Sequence, residues 1–537
     1  MPEKNRVYRA RIEGYTSEGL GVARIDGQAV FVHRALRGED CDVLILKVLK
    51  NAAFGKAVRV YEPSPHRVEP DCPYYGRCGG CDFRHMDRTE ELAAKRQRVQ
   101  DALRRIGGSA VTVEGIDGGA PLHYRNKSQY PVAADGSVGF YKARSHQVVP
   151  VAQCLIQKPQ ADAAAQALRT YIASCGVSCY DEKTRRGLVR HLYIRTNGAG
   201  QSLICVVANG KKLPREEELV RLLRQAAPET VGVVLGVNTQ PTGAVLGTEY
   251  RTLWGADVLT DTLCGLTFRL SVPSFYQVNR EMAERLYARA VEFAGLTGTE
   301  TVLDLYCGAG TITQVMARHA GRVIGAEIVP EAIEDAKANA KRNNVENVEF
   351  FCGDASAVAA DLAARGLRPD VICVDPPRKG LAPEVVRAAA QMAPQRIVYV
   401  SCDPATLARD VKLFGQEGYE AVRAAAVDMF PGTANVETIC LLSKLNAKQH
   451  IEINLDMDEL DLTDAEKKAT YQEIKDYVLE HSGLKVSSLY IAQVKQKCGI
   501  IERENYNKPK SEDAKQPQCP PDKEKAIKEA LTHFGMI

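Results

Sequence analysis

The chain has 537 residues, several times the length of one typical domain, so two to four folded units are expected. Its formal net charge of +3 excludes a globally basic surface, and contact with nucleic acid must therefore come from local patches. No apolar run of about 18 residues occurs, which predicts a cytoplasmic protein with no membrane span. In that compartment the 16 cysteines are expected to stay reduced, to bind metal or to take part in chemistry.

Residues 1–63 contain short β-rich runs separated by Gly and Asp turns. This pattern is typical of a small antiparallel OB-like barrel. Such a barrel either binds single-stranded or irregular RNA or serves as structural support.

A cysteine-rich loop follows the barrel. Cys72, Cys78 and Cys81 place three thiols within ten residues, and the intervening glycines allow the loop to wrap a metal centre. Zinc and an iron–sulfur cluster both accept four thiolates, so the spacing leaves the metal open and requires a fourth ligand from elsewhere.

The pattern of strands and helices in residues 64–272 predicts an α+β central domain that carries this loop. A basic amphipathic helix is predicted over 89–106, ending at Gly107 and Gly108, and we expect it to pack on the catalytic domain. Its arginine face is directed either to phosphate or to solvent.

Residues 273–445 alternate apolar strands, Gly-containing turns and helices, which predicts a Rossmann-like, doubly wound parallel sheet with its site at the carboxyl ends of the strands. Residues 446–537 predict a small helical accessory extension. It begins with an acidic stretch, continues with a helix-turn-helix-like pair, and has a polar linker over 506–521 before a last helix.

The first strand of this sheet runs into a glycine turn, Asp304-Leu-Tyr-Cys-Gly-Ala-Gly310. Glu327 ends the second strand. Its separation in sequence from the glycine turn is the one at which a carboxylate hydrogen-bonds ribose hydroxyls in nucleotide-binding sheets. A dinucleotide would also satisfy these features. The absence of a complete GxGxxG and the presence of Asp354, placed to accept an adenine amino group, favour the adenosine of S-adenosylmethionine (SAM).

Three further polar residues end later strands of the same sheet. Asp375 begins DPPRKG after the fourth strand, Cys402 lies in SCDP after the fifth, and Glu437 lies in NVETI on a late strand. A single cysteine at a strand end is more often buried and inert, so Cys402 needs these neighbours to indicate chemistry.

The motifs DLYCGAG, DPPRKG, SCDP and NVETI, with Ser274-Phe-Tyr-Gln-Val-Asn279 before them, resemble the RNA uracil-5-methyltransferase family as far as about Leu445. The resemblance implies a TRAM domain for the barrel, Cys402 as nucleophile, Glu437 as proton acceptor and Phe275 stacking on a flipped base. It also implies a set of residues that contact SAM: Gln277, Tyr306, Glu327 and Asp375.

Carbon 5 of uracil is a poor nucleophile, so its methylation requires a thiolate to add first to carbon 6. The C5 proton must then leave before the thiolate is eliminated, which requires a base. The target base must also leave its stack, because otherwise thiolate and methyl donor cannot both reach it.

Family members with the CxxxxxCGGC pattern carry a 4Fe–4S cluster, which the resemblance extends to Cys72, Cys78 and Cys81 with Cys154 as fourth ligand. Cys175 and Cys179 are the alternatives. The chain departs from the family at Pro431-Gly-Thr-Ala-Asn-Val-Glu437, where family members commonly have histidines in place of Gly432 and Asn435.

The preferred hypothesis is a monomeric 23S rRNA (uracil-5-)-methyltransferase, because a TRAM-like barrel with an iron–sulfur loop resembles the rRNA branch. The T-loop uridine of tRNA is the alternative target. Two other kinds of function remain as alternatives. One is an amino methyltransferase of DNA bases, which Arg378 and Cys402 disfavour, and the other is a non-catalytic RNA-binding ribosome-assembly factor.

Overall fold

The computed structural model describes residues 1–445, 471–498 and 519–534. The chain divides into two compact units, Met1–Asn446 and Ala447–Ile537. The predicted acidic stretch and most of the predicted linker lie outside the described residues.

The predicted N-terminal barrel is present. Its strands follow the order β1-β5-β6-β4-β3-β2, and the Glu13 amide donates to the Val22 carbonyl (2.7 Å), which joins the end of β1 to β3. Side chains alternate between the interior and the surface, and Val30, Val43 and Ile45 fill the interior. The strands are β1 (Val7–Arg11), β2 (Gly14–Tyr15), β3 (Gly21–Ile25), β4 (Gln28–His33), β5 (Asp40–Val48) and β6 (Ala52–Glu62).

The basic helix α1 (Arg88–Arg105) agrees with the prediction to within one residue. It begins at Asp87, whose side chain accepts from the Glu90 amide (2.9 Å). Helix α1 packs on α9 (Pro404–Gln416), and the following strand β7 (Val113–Asp117) pairs with β22 (Tyr419–Val427) at the edge of the large sheet. Part of the segment predicted as the central domain therefore belongs to the catalytic sheet.

The central platform is a five-stranded sheet in the order β14-β13-β12-β11-β8. Strands β11 and β12 are buried along their whole length under α2 and α3. Its elements are β8 (Lys127–Pro131), β9 (Gly139–Tyr141), β10 (Val148–Pro150), α2 (Pro159–Cys175), β11 (Val189–Thr196), β12 (Ser202–Ala208), α3 (Glu216–Ala226), β13 (Thr230–Val237) and β14 (Glu249–Gly255).

A hairpin and a helix lead to an eight-stranded sheet in the order β19-β18-β17-β20-β21-β23-β22-β7. Its first five strands in this order are parallel, so their carboxyl ends meet at one edge, as predicted. The elements are β15 (Val258–Leu263), β16 (Leu266–Ser271), α4 (Arg280–Ala294), β17 (Thr301–Leu305), α5 (Thr311–Ala317), β18 (Arg322–Glu327), α6 (Pro330–Arg342), β19 (Val348–Cys352), α7 (Ala355–Ala364), β20 (Val371–Val374), α8 (Pro383–Gln391), β21 (Arg396–Ser401), α9 (Pro404–Gln416), β22 (Tyr419–Val427) and β23 (Glu437–Lys444).

The second unit contains α10 (Tyr471–Ser482), α11 (Ser488–Lys497) and α12 (Pro521–His533). Ile474, Val478, Ile491 and Ile527 form part of its own buried core. In the described parts of both units, no helix combines the length and the apolar character that crossing a membrane requires.

Candidate active site

The turn after β17 brings backbone close to the predicted cofactor position. Tyr306, Gly308 and Gly310 have φ angles of 70°, 54° and 73°, a left-handed conformation that glycine adopts without strain. A Cβ on Gly310 would approach the Phe350 ring to 3.2 Å. The close approach of this turn to its neighbours therefore requires a glycine at 310.

The two predicted adenosine-binding carboxylates already take part in local structure. Glu327 accepts from the Gly308 amide (3.2 Å) and from the Val329 amide (3.0 Å), so it ties the glycine turn to the end of β18. Asp354 is the N-cap of α7, and one of its oxygens accepts from the Ser356 amide (2.9 Å). Both side chains lie after neighbouring strands, as the sequence predicts.

Asp304 lies in the glycine motif, and the sequence alone predicts no role for it. It is fully buried, and one oxygen accepts from the Thr313 hydroxyl (2.5 Å) while the other has no hydrogen-bond partner among the described residues. Burial, with smaller contributions from the nearby Asp375 and Glu327 carboxylates, raises the pKa of Asp304 to about 8, although the Thr313 hydrogen bond acts in the opposite direction. The sequence signal is its place inside an otherwise apolar strand.

Cys402 and Glu437 lie at adjacent strand ends, because Ser401 of β21 pairs with Thr438 of β23. Burial raises the pKa of the half-buried Cys402 thiol to about 11, and the Glu437 carboxylate contributes to this rise. The positive charge of the nearby Arg378 guanidinium acts in the opposite direction, lowering the pKa of the thiol.

Glu437 is only 4% exposed. Burial raises its pKa to about 8, the Asp375 carboxylate adds to the rise, and Arg378 opposes it. Burial also raises the pKa of Asp375 to about 7. Arg378 thus faces both predicted catalytic groups, a role the sequence analysis missed although it directly follows Asp375-Pro-Pro.

The predicted base-stacking residue, Phe275, is 64% exposed. The ammonium group of Lys127 lies 6.0 Å from the centre of its ring. Gln277 is buried, and its backbone carbonyl accepts from the Asn126 side chain (2.9 Å). An exposed aromatic ring next to buried polar groups is suited to receive a flipped base.

The four predicted cluster ligands, Cys72, Cys78, Cys81 and Cys154, line one cavity of about 240 Å³. The alternatives lie elsewhere: Cys175 ends α2, and the Cys179 thiol contacts the Val177 carbonyl at 3.9 Å. In the parts of the chain that the structure describes, no three His, Cys, Asp or Glu side chains are grouped as one metal ion would need.

The segment that departs from the family motif has its own hydrogen bonds. Gly432 has a φ of 80°, and the Asn435 amide donates to the Thr433 hydroxyl (3.2 Å). The Asn435 side chain points to the same hydroxyl, at 3.5 Å.

The family model of tRNA (uracil-5-)-methyltransferases matches residues 87–445, and that of the TRAM domain matches residues 3–58. The chain belongs to the tRNA (uracil-5-)-methyltransferase family. The resemblance, the N-terminal TRAM barrel and the SAM-dependent RNA uracil-5-methyltransferase class are thereby confirmed.

Relatives and one structure agree with this family. An uncharacterized RNA methyltransferase of Clostridium tetani is 43% identical over 83% of this chain and 98% of its own length. Another from Halalkalibacterium halodurans is 42% identical over 82% of this chain and 98% of its own. The crystal structure of a Pyrococcus abyssi tRNA (uracil-54, C5)-methyltransferase with S-adenosyl-L-homocysteine is 25% identical, has a TM-score of 0.66, and aligns over 81% of this chain and all of that one.

Proposed function

We propose that this protein methylates carbon 5 of a uridine in 23S rRNA through a covalent bond between Cys402 and carbon 6. The observation that carries the proposal is the convergence of Cys402, Glu437, Asp375 and Arg378 at one edge of the catalytic sheet. A nucleophile, a base and a cation between them form the arrangement that this chemistry requires.

The residues present suit SAM. The glycine turn lets backbone approach a ligand, and the Glu327 and Asp375 carboxylates lie at the ends of the strands on either side of it. One buried oxygen of Asp304 is left without a partner. These groups suit a ligand with ribose hydroxyls and an ammonium group, and SAM would supply there an electrophilic methyl group.

The protein's own groups act in sequence. Cys402, as thiolate, adds to carbon 6, and the electron pair moves to carbon 5, which forms its bond to the methyl carbon as the methyl–sulfur bond breaks. Glu437 then takes the proton from carbon 5, and the Cys402–C6 bond breaks to restore the C5–C6 double bond. Arg378 stabilises the thiolate at the first step and at the last.

We further propose that Cys72, Cys78, Cys81 and Cys154 hold a 4Fe–4S cluster. Thiolates on one zinc ion, with bonds of about 2.3 Å, must crowd around a single point, whereas a polynuclear cluster spreads its ligands around a larger space. Four thiols around one cavity match the second case. The cluster would cross-link the loop to the central platform.

The experiment that tests the function supplies methyl-labelled SAM with unmodified 23S rRNA or tRNA transcripts, followed by digestion and identification of the labelled nucleoside. Label in 5-methyluridine from 23S rRNA alone is expected. Label from tRNA alone would support the second target, which the Pyrococcus abyssi structure favours because that enzyme is named for uracil 54 of tRNA. No label from either RNA would contradict both targets.

A further inference from the structure

The segment that leads into Glu437, residues 428–436, is called here the base loop. Its main-chain groups are bound by side chains from distant parts of the sequence. The carbonyls of Met429, Phe430, Pro431 and Ala434 accept, in that order, from Asn279, Lys95, Tyr124 and Arg98. A loop held at this many main-chain atoms has little freedom, so its position depends on these partners.

Helix α1 provides a buried ionic anchor for the base loop. The Lys95 ammonium is fully buried and donates to Glu91 (2.8 Å) and to Asp428 (2.5 Å) as well as to the Phe430 carbonyl (3.0 Å). The Glu91 carboxylate also accepts a hydrogen bond from the Gly432 amide (2.6 Å). Because buried charges need their partners, this cluster fixes α1 and the base loop to each other.

The loop that carries the cysteines contacts the base loop directly. The amides of Asp82 and Phe83 both donate to the Gly432 carbonyl, at 2.9 and 3.0 Å. In return, the Asp82 carboxylate accepts from the Ala434 amide (2.9 Å). Asp82 follows Cys81, whose sulfur lies 3.8 Å from the position that a Cβ on Gly432 would occupy.

The sheet holds Glu437 at the first position of β23, where it pairs with Val427 of β22, and the rest of β23 pairs with β21 and β22 on its carboxyl-terminal side. From the other side its placement depends on the base loop, which contains Gly432 and Ala434. Cys402 is on the loop after β21. A substitution at Asp82 is therefore expected to displace Glu437 more than Cys402.

We propose that Asp82 is a positioning residue that couples the order of the cysteine loop to the placement of Glu437. The proposal rests on the function proposed above and adds to it a path by which the thiol centre acts on the reaction. The step most affected is the removal of the C5 proton, after carbon 5 has been methylated. Loss of the coupling leaves the methylated RNA attached to Cys402.

The test compares three variants in the full chain. Asp82→Ala removes the acceptor of the Ala434 amide, Asp82→Asn keeps a side-chain oxygen there, and Asp257→Ala removes an exposed aspartate in the turn between β14 and β15. Turnover, SAM affinity and the fraction of RNA in an SDS-stable adduct are measured for each. Glu437→Gln is the reference for a defect in the base.

For Asp82→Ala we expect a fall in turnover of at least about tenfold, an adduct fraction that rises as in Glu437→Gln, and SAM affinity within about twofold of wild type. Asp82→Asn is expected within about threefold of wild type and Asp257→Ala unchanged. Unchanged turnover in Asp82→Ala, or a fall without adduct, overturns the proposal. If Glu437→Gln itself accumulates no adduct and Cys402→Ala still turns over, the proposed function is what fails.

A second measurement does not depend on turnover. Hydrogen exchange at the amides of Gly432 and Ala434 is followed in wild type, in Asp82→Ala and in Cys81→Ser. We expect exchange across the base loop to accelerate at least about tenfold in both variants, while the strand β21 is unchanged. Exchange that stays at the wild-type rate in Cys81→Ser would overturn the coupling to the cysteine loop.

Discussion

Cys402 and Glu437 occupy adjacent strand ends, yet the proposed reaction gives them separate tasks that can be distinguished by substitution. Cys402→Ala removes the nucleophile, so we expect methyl transfer to fall about 1000-fold or more while SAM binding is retained. Glu437→Gln keeps the nucleophile, so transfer of one methyl group should proceed and the product should remain attached. Single-turnover methyl incorporation and denaturing gels check both results.

The outcome that contradicts the assignment is equally specific. Residual 5-methyluridine formation in Cys402→Ala above the background of SAM alone would exclude a covalent role for this thiol. Arg378→Lys is a useful companion, because it keeps a positive charge near the thiol but replaces the planar guanidinium with an ammonium group.

The same burial that shapes the site predicts how turnover depends on pH. The pKa of Glu437 is raised to about 8 and that of Cys402 to about 11, so both active forms gain population as pH rises. Because the two groups act in successive steps, turnover should increase between pH 6 and 9 by up to about tenfold per pH unit, the limit set by the one ionisation that governs the slower step. A pH–rate profile at saturating SAM that is flat or falls over this range would contradict the assigned protonation states.

At the scale of elements, Gly432 links the cysteine loop to the segment before the catalytic strand, and its backbone lies in the left-handed region that favours glycine. With a φ of 80°, a side chain there meets strain, although the space for a Cβ is open, with Arg84 and Cys81 no nearer than 3.8 Å. We expect Gly432→Ala to lower the free energy of unfolding by about 1–2 kcal/mol. Chemical denaturation measures it.

Gly415→Ala is the matched control for Gly432→Ala. It lies in helix α9 with nothing within 4 Å of its added Cβ, so we expect a gain of about 0.5–1 kcal/mol. Equal effects at the two positions would show that backbone strain does not set the choice of glycine at 432.

The sequence predicts those elements whose signals are local. The strand-end motifs around Asp304, Asp375 and Cys402 and the helix over 89–106 carry their own period and turn residues. Strand β7 has only five residues and a weak pattern, so its place in the catalytic sheet depends on pairing with β22. The contact of Asp82 with Ala434 joins residues 352 positions apart, which no local pattern reports.

The sequence predicts the candidate site to a similar extent. Motif resemblance supplies candidates for nucleophile and base, but the role of Arg378 follows from its position facing Cys402 and Glu437. Likewise, the unusual protonation of Asp304 depends on burial against Asp375 and Glu327, which is a property of the folded sheet.

At the scale of the whole molecule, the catalytic unit and the C-terminal unit are separately compact, with boundaries at Asn446 and Ala447. The family match ends at residue 445, and the relatives from Clostridium tetani and Halalkalibacterium halodurans align over 98% of their own length with only 82–83% of this chain. The first unit therefore corresponds to nearly the whole length of these two relatives.

Truncation after residue 445 tests whether the first unit contains the whole reaction. All proposed catalytic and cofactor-binding residues precede this point, and the core of the second unit, which includes Ile474, Val478 and Ile527, is its own. We expect the truncated protein to bind SAM within about twofold of the full chain and to keep the single-turnover rate of methyl transfer at saturating RNA. A loss of SAM binding or of that rate would show that the C-terminal unit takes part in the catalytic step, whereas a change confined to the RNA concentration needed for half-maximal rate would assign it to RNA docking.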